Sequence, residues 1–220
     1  MRRDARRNLE RLVAAAVQVF AERGLDAPLE EIAQVAGVST GTLYNRFGGR
    51  DALIDAVMPA LIETRIQDAL TRAEAEADAW DAFALYVTLI CQMQATDLAL
   101  NDAVSRRFPD ATRLTEICDA QLNSARDLIT RAQQAGSMRP DVAVEDLAYL
   151  FWSTSMIVRA TGGLAPETWR RALALFLDGL RAGVHPLPTP ALTRGQVHEA
   201  MSGLGDRKRS GGRAAAVHGK

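Results

Sequence analysis

Apolar residues recur at intervals of three and four positions along most of the chain, which is the spacing of one face of an α-helix. The first such stripe ends before Gly24 and consists of Leu9, Leu12, Val13, Ala16, Val17 and Phe20. No stretch alternates apolar and polar residues as a half-buried β-strand does. The pattern therefore predicts an all-α protein.

Two short helices and one long helix are predicted next. Pro28 suits the first position of a second helix that ends at Gly37, and Ser39 is the expected N-cap of a third. A Gly-Gly pair ends the third helix, and a fourth extends over about Arg50–Ala77. Pro59 lies inside this fourth helix and predicts a kink, because proline lacks a backbone donor and clashes with the preceding turn.

The remaining stripes predict a helical bundle. Five more helices are expected, and their segments are 82–93, 98–108, 113–136, 144–163 and 166–183. We therefore divide the folded chain into a domain of three helices over residues 1–50 and a larger domain over residues 51–183. The first of the later segments is apolar nearly all round, which is typical of a buried helix.

The last part of the chain differs in composition. Residues 184–220 are rich in Pro, Gly and basic residues, so they offer little apolar surface to bury and are predicted to be mostly disordered. Residues 193–203 leave two interpretations open: they belong to the disordered tail, or they form one or two helical turns that dock onto the bundle.

The segment Gly37–Phe47 places many hydrogen-bonding groups on one short helix. Leu43 and Phe47 belong to its inner face, which joins it to the second helix. Two helices connected by a short turn with a glycine, the second polar on its outer face, form a helix-turn-helix pattern. Such a helix enters the major groove of double-stranded DNA, where hydroxyl, amide and guanidinium groups bind bases and phosphates.

The run AGVSTGTLYNRF, followed three residues later by Arg50 and Asp51, resembles the N-terminal helix-turn-helix of the TetR family of bacterial transcription regulators. The resemblance covers about Arg7 to Val57. The helical remainder is similar to the variable ligand-binding and dimerisation domain of that family. The resemblance implies a homodimeric repressor that a small apolar effector releases from a palindromic operator.

The same resemblance, together with the polar outer face, assigns the DNA contacts. The predicted contact residues are Ser39, Thr40, Gly41, Thr42, Tyr44, Asn45, Arg46 and Arg50. Arg50 matches the basic residue that contacts a phosphate in the family. Two positions depart from the family pattern: Arg46 stands where His is usual, and Pro28 stands where a hydroxyl residue is frequent.

Two further sites are predicted in the larger domain. Met and aromatic residues at helical spacing form either plain core or an effector pocket, whose candidate residues are Phe83, Tyr86, Met93, Cys118, Leu122, Phe151 and Met156. The last two long helices have more apolar face than a small monomer covers, which indicates a dimer. Its candidate interface residues are Leu150, Trp169, Leu173, Phe176 and Leu177.

Composition excludes several other functions. The formal net charge of -1 gives no global signal for nucleic acid, although a local basic patch remains compatible with it. All three histidines follow residue 184, so the folded body has none for a metal site or a catalytic triad, and no metal or cofactor is expected. Cys91 and Cys118 are expected to be buried thiols.

No membrane segment or signal peptide is predicted, because no run of about 18 apolar residues occurs and the basic start lacks an apolar core. A cytoplasmic protein is therefore expected. Two alternatives to the effector-released regulator remain at this point. One is a helical ligand carrier or enzyme without a DNA function, and the other is a DNA-binding dimer that has no small-molecule effector.

Overall fold

The computed structural model describes residues 2–183 and 185–215. Within these ranges the chain forms ten α-helices, one 3₁₀ turn and no named strand, with a single antiparallel bridge between Met138 and Arg181. The all-α prediction is confirmed. The helices are α1 (Arg2–Arg23), α2 (Leu29–Ala36), α3 (Thr40–Phe47), α4 (Arg50–Glu74), α5 (Ala79–Thr96), α6 (Leu98–Ser105), α7 (Thr112–Gln134), α8 (Leu147–Thr161), α9 (Thr168–Leu180) and α10 (Arg194–Ala215).

The first three helices, which we call the head, have the boundaries that their capping residues predict. Gly37 ends α2 with a left-handed φ of 67°, and its N–H reaches the carbonyls of Ala33 and Gln34. Glycine adopts this conformation without the steric cost that a Cβ brings. Ser39 is extended, and its side chain accepts the N–H of Thr42, so it caps α3 as predicted.

Buried apolar side chains from all three helices hold the head together. They include Leu12, Phe20, Leu29, Ile32 and Leu43, each no more than 3% exposed. Burying a side chain of this size stabilises the fold by roughly 1.5–3 kcal/mol.

The long helix α4 connects the head to α5–α9, which together with α4 we call the body. It packs against α1 and α3 at its beginning and against α5 and α7 over the rest of its length. Pro59 is buried inside it, and the helix continues through this residue to Glu74. The kink at Pro59 stays a prediction.

The centre of the body is α5, which packs against α4, α6, α7, α8 and α9. Its mostly apolar sequence fits this central position, and Phe83 and Val87 are fully buried. Cys91 and Cys118 are buried and free, as predicted.

The C-terminal segment differs from the prediction of a mostly disordered tail. Residues Arg194–Ala215 form α10, and Val197 and Met201 are buried at 6% and 4% exposure. A capping box explains where α10 begins: Thr193 N–H donates to Gln196 Oε1 at 2.9 Å, and Gln196 N–H donates to Thr193 Oγ1 at 3.3 Å. The docked-helix interpretation of residues 193–203 is therefore correct, while residues 184 and 216–220 lie outside the described residues.

Candidate functional site: a polar helix face and a ligand cavity

The outer face of α3 is polar and exposed. Leu43 is fully buried, whereas Gly41, Thr42, Asn45 and Arg46 lie in solvent. The Tyr44 ring is 47% exposed although it is a large apolar group, and Thr40 is half-buried. The face therefore presents a phenol, an amide and a guanidinium side by side, which are groups that bind phosphates and base edges.

Two hydroxyls at the start of α3 already hold each other in place. Ser39 Oγ accepts the N–H of Thr42 at 3.2 Å, and the Ser39 and Thr42 hydroxyls lie 2.9 Å apart. The first turn of α3 is thus capped by its own side chains. Its remaining N–H groups give this end of the helix the positive partial charge that attracts phosphate.

Arg50 lies at the start of α4 and binds the head itself. Its Nη1 donates to the carbonyl of Leu25 at 2.9 Å and also to the carbonyl of Ala27. The guanidinium is half-buried against the turn between α1 and α2. Arg50 therefore fixes the position of that turn, a role that the sequence did not indicate.

An ionic cluster with a buried centre joins the head to the body. Asp102 on α6 is 2% exposed, and its Oδ2 accepts the N–H of Leu25 at 2.8 Å. Arg106 Nη2 lies 2.7 Å from Asp102 Oδ2 and 2.7 Å from Asp26 Oδ2, and Arg159 on α8 pairs with Asp102 Oδ1. We call these four charged residues the α6 cluster.

The two most buried members of the α6 cluster are Asp102 and Arg106, at 2% and 4% exposure. Burial alone lowers the pKa of Arg106, but the adjacent carboxylates of Asp102 and Asp26 outweigh it and raise this pKa above its ordinary value. Gly24 lies directly against the cluster with a φ of +84°, and a Cβ there would sit 2.6 Å from Asp102 Oδ2. Only glycine fits this position without displacing the carboxylate.

A cavity of about 370 Å³ lies inside the body, between α4, α5, α6, α7, α8 and α10. Its apolar wall includes Ile66, Tyr86, Ile90, Leu122 and Phe151. Burial raises the pKa of the Tyr86 phenol and of the Cys118 thiol, so both groups are neutral at pH 7. The volume lies in the range of small-molecule sites, and the wall suits an apolar ligand.

Four of the seven predicted pocket residues line this cavity: Tyr86, Cys118, Leu122 and Phe151. The other three do not. Phe83 is fully buried in the core, and Met93 is half-buried and packs against the core elsewhere. Met156 is 68% exposed on the outer face of α8, so its assignment to the pocket is wrong.

The polar end of the cavity was not predicted. Arg107 is 6% exposed, and its Nη2 lies 3.2 Å from Asp119, which also pairs with Arg194 of α10 at 3.1 Å. Arg126 pairs with Glu145 at 3.2 Å on the cavity rim. No sequence signal marks these residues, because three helices bring them together only in the folded chain.

The candidate dimer interface requires a correction. Leu150, Trp169 and Leu173 are at most 4% exposed and belong to the protomer's own core, so they have no surface to offer a partner. Phe176 and Leu177 are half-buried beside that core. The exposed apolar residues on α8 and α9 are instead Tyr149, Met156 and Leu175, at 44%, 68% and 67% exposure.

Two kinds of feature do not occur in the described residues. None of the described helices combines the length and the apolar composition that crossing a lipid bilayer requires. In the described ranges, no three side chains of His, Cys, Asp or Glu come together as a metal site.

The chain matches two family profiles. Residues 12–57 match the profile described as "Bacterial regulatory proteins, tetR family". Residues 78–182 match the profile described as "Transcriptional regulator SbtR-like, C-terminal domain". Both matches end before α10 begins.

Individual proteins resemble the chain over most of its length. The HTH-type transcriptional repressor KstR2 of Rhodococcus jostii is 28% identical over 187 residues, which span 77% of this chain and 89% of that protein. Among solved structures, the regulator FadR of Bacillus subtilis in complex with stearoyl-CoA has a TM-score of 0.60 at 20% identity, covering 80% of this chain and 100% of that one. A TetR transcriptional regulator of Streptomyces coelicolor has a TM-score of 0.50 at 29% identity, covering 80% of this chain and 99% of that one.

Proposed function

Because the chain belongs to the TetR family of bacterial transcriptional regulators, we propose that it is a homodimeric repressor that a small, largely apolar effector releases from a palindromic operator. Residues 1–50 form the DNA-binding domain in this proposal, and residues 51–183 bind the effector and form the dimer.

The outer face of α3 supports the assigned DNA contacts. Tyr44, Asn45 and Arg46 project from an α3 whose inner side is anchored by Leu43. One such helix covers few base pairs, so a dimer places two of them in major grooves about 34 Å, or one helical turn, apart. The operator is therefore expected to be a palindrome or near-palindrome.

The outer faces of α8 and α9 support the dimer. Tyr149, Met156 and Leu175 are large apolar side chains that the protomer leaves exposed. Large apolar side chains that two neighbouring helices leave exposed are typical of an interaction surface. A second copy of the same two helices buries this patch in a four-helix interface around a two-fold axis.

The cavity supports the effector. Its wall is largely apolar, and its charged lining residues form two groups: Arg107 and Arg194 pair with Asp119, and Arg126 pairs with Glu145. An amphipathic molecule with one compact polar group fits this distribution. The structural relative FadR of Bacillus subtilis was solved in complex with stearoyl-CoA, but the two chains share only 20% identity, so the ligand class rests on the lining alone.

The helix α6 supports a route from the cavity to the head. Val104 and Arg107, on α6 and just after it, line the cavity. Asp102 and Arg106, on the same short segment, bind the turn between α1 and α2. A ligand that shifts α6 therefore changes both the cavity wall and the contacts between α6 and the turn that joins α1 to α2.

The single observation that carries the repressor proposal is the α6 segment, which touches the cavity and the head at once. For the test, an operator is selected from a random DNA pool. An effector is identified from a panel of amphipathic compounds as one that raises the melting temperature of the protein. We expect the effector to weaken operator binding. An effector that binds the cavity but leaves operator affinity unchanged would overturn the proposed release.

A further inference from the structure

We propose that α10 is a lid of the ligand cavity, which forms one of its walls when closed and opens to admit the ligand. The helix supplies five of the lining residues: Arg194, Gly195, Val197, His198 and Met201. The helix α10 lies beyond both regions that match the family profiles, and the second of these regions ends at residue 182. The inference rests on the proposed effector-binding function, but its test does not require an effector.

Over residues 194–205, the part of α10 whose side chains the structure describes, docking rests on a small set of contacts. Val197 and Met201 pack with Ala148 in a small cluster that is separate from the main core, with Trp152 and Leu192 at its edge. Segments with few buried apolar contacts open at a lower free-energy cost than the core does. The weak attachment therefore favours opening of α10 while the body stays folded.

One ion pair at the lid breaks without leaving a buried charge unpaired. Arg194 is 58% exposed at its side chain, and it pairs with Asp119 at 3.1 Å. When α10 leaves, Arg194 enters water, while Asp119 keeps its pair with the buried Arg107 at 3.2 Å. An exposed ion pair of this kind contributes little to stability, so it favours the closed position of α10 only slightly.

The lid rests on the backbone of Arg107, the second residue after α6. Arg107 N–H donates to the carbonyl of Met201 at 3.1 Å. One turn later, α10 passes so close to the Arg107 carbonyl that a Cβ at Gly205 would lie 2.2 Å from its oxygen. Gly205 therefore permits closure, and a larger residue there would separate α10 from the body.

The two native cysteines report the opening directly. Cys118 lines the cavity beneath α10, whereas Cys91 is fully buried in the core and does not line the cavity. A small thiol reagent reaches Cys118 when the lid opens and reaches Cys91 only when the body unfolds. Under native conditions the labelling rate follows the population of the open state.

The test compares Gly205→Ala with Gly203→Ala in the full chain. Both substitutions add one methyl group to α10, but a Cβ at Gly203 has no atom within 4 Å. N-ethylmaleimide labelling of each cysteine is followed by mass spectrometry. We expect Gly205→Ala to raise the Cys118 rate by about tenfold or more through a larger open population.

We expect Cys118 of the Gly203→Ala variant to be labelled at the same rate as Cys118 of the parent protein. Cys91 is expected to be labelled slowly in the parent protein and in both variants. Equal labelling rates of Cys118 in the two variants would contradict the lid proposal. A Cys91 labelling rate that rises together with that of Cys118 would also contradict it, because the body itself would then be unfolding. Binding of the selected operator is measured on the same samples. A parent protein that binds no operator would count against the proposed repressor function, and the labelling result for the lid would still stand.

Discussion

The carboxylate of Asp102 accepts the backbone N–H of Leu25 at 2.8 Å, across the boundary between the body and the head. Asp102 lies on α6, and Leu25 lies in the turn between α1 and α2. The same carboxylate pairs with Arg106 and Arg159. The position of the head therefore depends on the buried side chain of Asp102, and α6, the helix that carries Asp102, also lines the cavity.

Gly24→Ala is expected to lower the free energy of unfolding more than Gly48→Ala. Both glycines have a φ of +84°, so both variants incur a left-handed penalty of about 1–2 kcal/mol. At Gly24 the new Cβ also meets Asp102 Oδ2 at 2.6 Å, whereas at Gly48 it meets no atom within 4 Å. Urea denaturation measures both values, and equal losses would show that the head does not rest on Asp102.

Arg46→Ala and Arg50→Ala are expected to weaken DNA binding for different reasons. Arg46 is exposed on α3, so its loss should change the free energy of unfolding by less than about 0.5 kcal/mol. If Arg46 binds a phosphate in each half-site, its absence lowers the slope of log affinity against log salt by about 0.9 for each protomer of the dimer. A variant with an unchanged slope and a changed preference at one base pair would instead place Arg46 at a base edge.

Arg50→Ala should cost stability as well as DNA affinity. Its guanidinium donates to the carbonyls of Leu25 and Ala27, and a hydrogen bond to a charged group contributes about 1.5–3 kcal/mol. Thermal or urea unfolding measured beside DNA binding separates the two effects. An Arg50→Ala protein with parental stability but weaker DNA binding would make phosphate contact, as the family resemblance implies, its main role.

Met156→Glu combined with Leu175→Glu is expected to give monomers that lose specific operator binding. The two residues are 68% and 67% exposed on α8 and α9, so the charges disturb a partner and not the protomer's own core. Leu164→Glu is the matched control, because Leu164 is 89% exposed in the loop between these helices. Sedimentation velocity reports the mass, and a double variant that remains a dimer would place the interface elsewhere.

Local sequence signals were sufficient for the head. Gly37 and Ser39 are capping residues whose geometry depends on their immediate neighbours, so their roles were predictable before folding. The start of α10 is encoded in the same way, because the run Thr193-Arg-Gly-Gln196 has the pattern of a capping box.

The body was less predictable because α8 is apolar on several sides. Leu150 and Tyr149 are adjacent in sequence, yet the first is 1% exposed and the second is 44% exposed. Hydrophobicity does not distinguish the two, since only the packing of α8 against α5, α6 and α9 determines which side faces inward. The prediction of Leu150 as an interface residue is wrong for this reason, because its side chain lies on the inner side of α8.

The α6 cluster and the polar end of the cavity were not predictable for a related reason. Asp102 and Arg159 are 57 residues apart in the chain, and Asp119 and Arg194 are 75 residues apart. Periodicity identifies a helix face but not the partner of each charge. These pairs depend on the tertiary arrangement, so each carboxylate on its own resembled a solvated surface residue.

Filling the cavity should separate effector binding from DNA binding. Leu122→Trp places a larger ring in the space beside Tyr86 and Phe151, which the effector would occupy. We expect this variant to lose the effector-induced rise in melting temperature and to keep operator affinity. An unchanged effector response would show that the effector binds outside this cavity.

Reciprocal titration tests directly whether the cavity and the DNA-binding face are coupled through α6. Effector affinity is measured with and without saturating operator, and operator affinity with and without saturating effector. A coupling of about 1–3 kcal/mol predicts that each ligand weakens the other by the same factor, about 5- to 150-fold. Effector affinity that is identical with and without operator DNA would contradict the account.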